Sequence, residues 1–236
     1  MAVGVATRSP SSKRRPLKLV SDSEVVQLRA LAEKLQGRPL PGVHVTERQF
    51  VERYFHEDLN VEWVNGEVFG SPPASFEHIH LNLWLLHLIG DFVVHHDLGE
   101  VVGIEFQMRL AKVPSRRNPD VMFVSKANAS IIQPTYLDGP ADLAMEIVSP
   151  DSVARDWRDK YVEYEKSGVR EYWLIDPAQQ RCEAYSLARK KKYALLKEDD
   201  GRIFSKVLRG LYIRPVWLWQ SPRPRLLTIL KELGVR

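Results

Sequence analysis

Three stretches decide the fold: Ala141-Asp142-Leu143-Ala144-Met145-Glu146-Ile147-Val148, Lys160-Tyr161-Val162-Glu163-Tyr164, and Glu171-Tyr172-Trp173-Leu174-Ile175-Asp176. The first reads as a strand over 141–148, with Leu143, Met145 and Ile147 pointing one way. The last is an almost continuous apolar strand, as expected when both faces of a sheet are covered. Between them, Val153 to Ser167 reads as a helix stopped by Gly168, a residue suited to the left-handed position after a helix end.

Working outward, Ser21 or Ser23 can cap a helix whose Val25, Leu28, Leu31 and Leu35 form one stripe. A shorter helix runs from Thr46 to His56, with Thr46 as its N-cap. Val61 to Phe69 reads as a hairpin, because Asn65-Gly66 supplies the two positive-φ positions of a type I′ turn. After the break at Ser71-Pro72-Pro73, a long apolar helix spans about Ser75 to His96. A strand from Ile104 to Leu110 follows, then the basic turn Ser115-Arg116-Arg117-Asn118 and a short strand from Pro119 to Val124. A last hairpin pairs 181–187 with 193–196. The expected fold class is α/β (α+β), a mixed central sheet flanked by helices. Residues 1–44 form a basic arm plus an N-terminal helix, 45–215 the main domain, and 216–236 a basic extension.

Three residues stand where a purely structural sequence prefers something else. Asp120 opens an apolar strand, and Glu146 sits inside one. A carboxylate in mid-strand must be exposed, paired or metal-bound, because burying it bare is costly. Lys160 follows Val153 and Trp157, and precedes Tyr164, on the i, i+4, i+7, i+11 stripe, so it occupies the centre of the helix's apolar face. Its ammonium either snorkels to the surface or meets the strand carboxylates. In the second case Asp120, Glu146 and the backbone carbonyl of Ile147 make a hard-oxygen site suited to Mg²⁺ or Mn²⁺. Lys160 then stabilises charge or orients a water at a phosphate. A structural Lys–carboxylate pair uses the same residues without a metal.

The chain has 236 residues with one cysteine, which excludes a disulfide scaffold and a multi-cysteine zinc site. A reducing cytoplasmic setting is the natural reading. The longest apolar stretch, Leu81–Val94, contains Asn82, His87, Gly90 and Asp91 and is too short to span a bilayer. The net charge of +4 is unevenly spread: residues 1–20 carry +5, residues 181–236 carry +9, and the middle carries −10. Basic ends around an acidic centre suit either a polyanion partner or merely solvated tails. Arg116, Arg117 and the run Arg189-Lys190-Lys191-Lys192 are candidate phosphate contacts. Five of the seven histidines fall in the long helix without the i, i+4 spacing of a helical zinc motif. They read as partly buried packing residues, apart from His78.

Glu62-Trp63-Val64-Asn65-Gly66-Glu67, Ser71-Pro72-Pro73, Glu77-His78, Pro119-Asp120-Val121, Glu146-Ile147-Val148-Ser149-Pro150 and Lys160-Tyr161-Val162-Glu163-Tyr164 resemble, in order, the motifs of the Uma-two family. Gly168 to Pro177 completes the series, and the similarity covers roughly residues 45–215. That family belongs to the PD-(D/E)XK nuclease superfamily. The resemblance implies a restriction-endonuclease-like fold and a metal-dependent endonuclease acting on nucleic acid, DNA first, with Asp120 and Glu146 as metal ligands. The superfamily places a lysine two residues after the glutamate, whereas this chain has Val148 there. In the Uma-two pattern a helix lysine, here Lys160, replaces it. Glu67 and His78 also match family positions and, with Tyr164, are candidates for a supporting shell. A homodimer would suit double-strand cutting. The competing class is a non-catalytic nucleic-acid-binding or interaction module on the same scaffold.

Overall fold

The computed structural model describes residues 21–35, 38–55, 60–70, 74–103, 106–148 and 155–235. The basic arm, Ser71-Pro72-Pro73, Ile104, the Ser149-Pro150 motif and the expected helix start at Val153 lie outside them.

Two six-stranded mixed sheets pack together, with helices on their flanks. The central sheet has β4 (Gly99–Gly103), β7 (Val121–Ser125), β9 (Leu143–Ile147), β10 (Glu171–Asp176), β11 (Arg181–Leu187) and β12 (Tyr193–Leu195). These run β12-β11-β10-β9-β7-β4, and only the β9–β10 pair is parallel. The other sheet runs β1-β3-β2-β6-β5-β8, from β1 (Pro39–His44), β2 (Val61–Val64), β3 (Glu67–Gly70), β5 (Gln107–Leu110), β6 (Ser115–Arg117) and β8 (Tyr136–Asp138).

The sequence reading anticipated one central sheet, and the second sheet is the main addition. Its β1 contains Pro39 and Pro41, residues that cannot donate to a ladder. Accordingly β1 lies at the sheet's edge. Ser115–Arg117, expected as a turn, is instead a buried inner strand between β2 and β5.

Alternation along the central strands divides the core. Val121, Phe123, Leu143, Met145, Ile147, Trp173 and Ile175 face α3 (Phe76–His95), whose Leu81, Leu85, Leu88, Ile89 and Phe92 bury against them. Each such side chain contributes about 1.5–3 kcal/mol on leaving water. Trp217, Leu218, Ile229 and Leu230, from α5 (Pro215–Trp219) and α6 (Leu226–Glu232), join the same cluster. The C-terminal segment is therefore part of the core. Met122, Val124, Ala144, Val148, Tyr172 and Leu174 face the other way. They meet Met108 and Leu110 of β5, and Tyr164 of α4 (Tyr161–Ser167).

Local signals explain the elements that carry the site. α3 begins at Ser75, whose hydroxyl accepts from the His78 amide, and ends at His96. α2 (Glu47–Arg53) starts in a capping box formed by Thr46 and Gln49. Asn65 and Gly66 have φ of 48° and 100°, the double positive-φ turn that joins β2 to β3. A π-helical turn, Arg155–Lys160, leads into α4, which Gly168 terminates at φ 97°. His80, His87, His95 and His96 are exposed, contrary to the packing role expected of them. His80 and His87 lie out of step with the stripe of Leu81, Leu85, Leu88 and Phe92, whereas His95 and His96 are the last helical residue and the C-cap, where the helix runs out.

Candidate functional site

The site forms where the chain passes from one sheet to the other. β6 ends at Arg117 and β7 begins at Val121, so residues 118–120 alone make the crossing. That short link brings Arg117 of one sheet and Asp120 of the other into one cluster. β2 supplies Glu62, β9 supplies Glu146, and the π-turn and α4 supply Lys160, Glu163 and Tyr164.

Lys160 is 3% exposed, so its head does not snorkel to water. Its Nζ lies 2.8 Å from Glu146 Oε2 and 3.5 Å from Glu62 Oε1. The Tyr164 hydroxyl donates to Glu146 Oε1 at 2.7 Å. Burial, and next the charge of Glu146, push the Tyr164 phenol well above its ordinary pKa, which keeps it a protonated donor. Arg117 binds two carboxylates at once: Nη1 donates to Glu62 Oε2 at 2.9 Å, and Nε and Nη2 donate to Glu163 at 2.9 and 2.5 Å. Burial works against its charge, but Glu62 and Glu163 hold the guanidinium well above its ordinary pKa. The Asn118 amide completes Glu62 through Oε1 at 3.0 Å.

Asp120 lies at the same end of the β7–β9 ladder as Glu146. Its Oδ2 accepts from the Ile147 amide at 2.6 Å, and its Oδ1 is 2.9 Å from His78 Nε2. A strand residue's N–H and C=O project toward the same edge, so the Ile147 carbonyl points to the Asp120 side. Asp120 and His78 side chains are 17% and 20% exposed, against 4% or less for Glu146, Lys160 and Glu62. Solvent and solutes therefore reach the cluster at its Asp120–His78 end.

The donor set fits a hard divalent cation. Glu62, Asp120, Glu146 and Glu163 oppose Lys160 and Arg117, a formal charge of −2 that one such ion offsets. Every carboxylate oxygen of Asp120 and Glu146 already accepts a hydrogen bond or faces an ammonium, but each keeps a second lone pair. No group of three or more His, Cys, Asp or Glu side chains forms a ready-made cage among the described residues. The protein would thus contribute two carboxylates and a backbone carbonyl, with the remaining positions left to water or phosphate, the usual manner of Mg²⁺.

The other expected residues are placed as follows. Arg116 and Arg117 are 5% and 2% exposed, so they cannot serve as surface phosphate contacts. Arg116 donates to Glu47 at 2.9 Å and stacks over Tyr136, on the sheet face opposite Arg117. Glu67 pairs with Val64 at the turn end of the hairpin and is exposed. Its register puts it on the same face as Glu62, one alternation further out. Arg189 to Lys192 are exposed in the turn after β11. Glu62 and Glu163 were given no role from sequence. Glu62 stands between Val61 and Trp63 in mid-strand, the same signal that marked Glu146. Glu163 follows Lys160 by three on the inward helix face.

Mixed sheets flanked by helices make a nuclease-like fold, and paired carboxylates and a buried lysine meet at one strand end of it. The chain belongs to the Uma2 family, described as "Putative restriction endonuclease", whose model matches residues 48–215. A solved structure described as a putative nuclease belonging to DUF820, from Anabaena variabilis ATCC 29413, shares the fold with a TM-score of 0.58 at 17% identity. That match covers 67% of this chain and 89% of the other. No curated protein matches the chain. Among the described residues no helix is long and apolar enough to cross a membrane.

Proposed function

We propose that this protein is a Mg²⁺- or Mn²⁺-dependent endonuclease that hydrolyses phosphodiester bonds in DNA, with Asp120, Glu146 and the Ile147 carbonyl holding the ion. The observation that carries this reading is the Lys160–Glu146 contact of 2.8 Å inside a buried cluster that, with Asp120 at its open end, has a formal charge of −2. When bound, the ion polarises a phosphate oxygen and lowers the pKa of a bound water. Lys160, fixed between Glu146 and Glu62, presents a cation to the charge that develops on the phosphate. Tyr164 holds Glu146 from behind, and His78 does the same for Asp120. The partly exposed Asp120–His78 end admits the scissile phosphate. The family description favours DNA over RNA, and two copies acting as a homodimer would cut both strands.

The test is calorimetric titration of Mn²⁺ into wild type and Glu146→Ala, followed by cleavage of duplex DNA by both and by Asp120→Ala. Binding that disappears in Glu146→Ala, with cleavage lost in both variants, is the expected result. Wild-type protein that takes up no Mn²⁺, with or without added DNA, would point instead to a structural ion pair in a non-catalytic module. Cleavage that survives Asp120→Ala would remove Asp120 from the assignment.

A further inference from the structure

Immediately after Lys160, Tyr161 turns away from the cluster and meets two tyrosines of the β11–β12 hairpin. Its ring lies 4.9 Å from Tyr185 at 84° and 5.2 Å from Tyr193 at 67°, while Tyr185 and Tyr193 are 6.1 Å apart. All three are partly exposed. Behind them, Tyr193 stacks on buried Tyr172 at 6.3 Å, and Tyr172 meets Tyr164 at 5.0 Å. A row of rings thus runs from the surface to the phenol that holds Glu146.

The patch is rigid and flanked by positive charge. Glu165 of α4 accepts from the Tyr193 amide at 2.8 Å and from Lys192 Nζ at 2.7 Å, pinning the hairpin to the helix. The Tyr193 hydroxyl donates to the Val169 carbonyl at 2.9 Å, and the Tyr185 hydroxyl donates to Glu183. The nearest acids are therefore occupied. Arg189, Lys190 and Lys191, in the turn between the two strands, are exposed and form no ion pair among the described residues.

We propose that Tyr161, Tyr185 and Tyr193 form a stacking subsite for an unpaired nucleobase, with Arg189, Lys190 and Lys191 holding the adjoining phosphates. Fixed aromatic faces beside a basic run are the combination by which proteins hold single strands, because every base offers a π-face and every phosphate a charge. A base in a duplex has no free face to offer. The proposal rests on the nuclease reading above and narrows its substrate to DNA that carries an unpaired stretch beside the duplex.

The test uses the full chain without metal, so that no strand is cut. The probes are an oligothymidylate carrying one 2-aminopurine and the same strand annealed to its complement. Wild type should bind the single strand more tightly than the duplex and quench the 2-aminopurine on binding. Tyr185→Ala and Tyr161→Leu, the second keeping an apolar side chain in place of the ring, should each weaken binding by about 5- to 150-fold and relieve the quenching. Tyr161→Phe should bind as wild type does. Changing both Lys190 and Lys191 to Ala should reduce the slope of log affinity against log salt by about 1.4. Equal affinity for both probes, or tyrosine variants that bind and quench as wild type does, overturns the proposal. Cleavage assays on the same variants separate the two readings. Glu146-dependent cutting without any tyrosine dependence sinks the subsite alone. Tyrosine-dependent binding without cutting under Mg²⁺ or Mn²⁺ sinks the catalytic reading alone.

Discussion

Replacing Arg117 with methionine tests how the buried charges are balanced. The guanidinium is 2% exposed and donates three hydrogen bonds, one to Glu62 and two to Glu163. Methionine keeps the aliphatic volume and deletes the charge, so the formal charge of the cluster falls from −2 to −3 around two carboxylates that have lost a partner. Removing one side of a buried ion pair costs about 3–5 kcal/mol. At about 2–4 °C per kcal/mol for a chain of this size, the unfolding midpoint should fall by about 6–20 °C. The assay is thermal denaturation followed by circular dichroism, with Arg189→Met beside it. Arg189 is exposed, and its replacement should stay within about 0.5 kcal/mol of wild type. If Arg117→Met melts with wild type while its DNA affinity loses salt dependence, Arg117 is a phosphate contact and the buried balance is wrong.

Two further outcomes follow from the frame around the site. Gly66→Ala places a β-carbon at φ 100° and 2.4 Å from the ring of His44. His44 is exposed and can move aside, so the backbone sets the cost, about 1 kcal/mol or more, measurable by urea denaturation. Asp142 accepts from the Ser125 amide, Asn128 and Arg170. Burial alone raises its pKa, but these hydrogen bonds hold the carboxyl below its ordinary value of 3.8. Its contribution to stability is therefore present above about pH 4 and lost as pH falls through the depressed folded-state value. Asp142→Asn should be less stable than wild type at neutral pH and show a shallower loss of stability below pH 4. Parallel pH–stability curves for the two proteins would rule this out.

What could be read from the sequence divides by the range of the interactions involved. The Asn65-Gly66 turn, the approximate limits of α3 near Ser75 and His96 and the stop at Gly168 depend on neighbours within a few residues, and each formed where expected. Lys160 stood out as a charge on an otherwise apolar helix face. The choice between a surface-directed head and one that meets the carboxylates was not legible, because Glu146 and Glu62 come from distant strands. Arg116 and Arg117 were not legible either. In sequence they resemble an exposed basic turn, and only carboxylates 46 to 69 residues away turn them into the inner strand of a second sheet. The histidines of α3 failed for a subtler reason. Their helix is apolar on average, but burial follows the phase and place of each residue: His80 and His87 are out of step with the core stripe, and His95 and His96 fall at the helix end.

Val148, where the resemblance would place a lysine, has a physical account in the same alternation. Glu146 and Val148 lie two apart on one strand and so share a face. Glu146 meets Tyr164 and Lys160. Val148 is 5% exposed and packs in the cluster that includes Met108, Leu174 and Tyr172. A lysine there would have to thread its charge through an apolar layer. The π-turn and α4 lie above this face. From there Lys160 reaches Glu146 Oε2 directly, without disturbing the packing beneath. Moving the ammonium from strand to helix keeps a cation beside the carboxylate and leaves the core apolar. It also ties the site to the helix register. The π-turn ends at Lys160, and a one-residue slip there would swing the ammonium by about 100° away from Glu146.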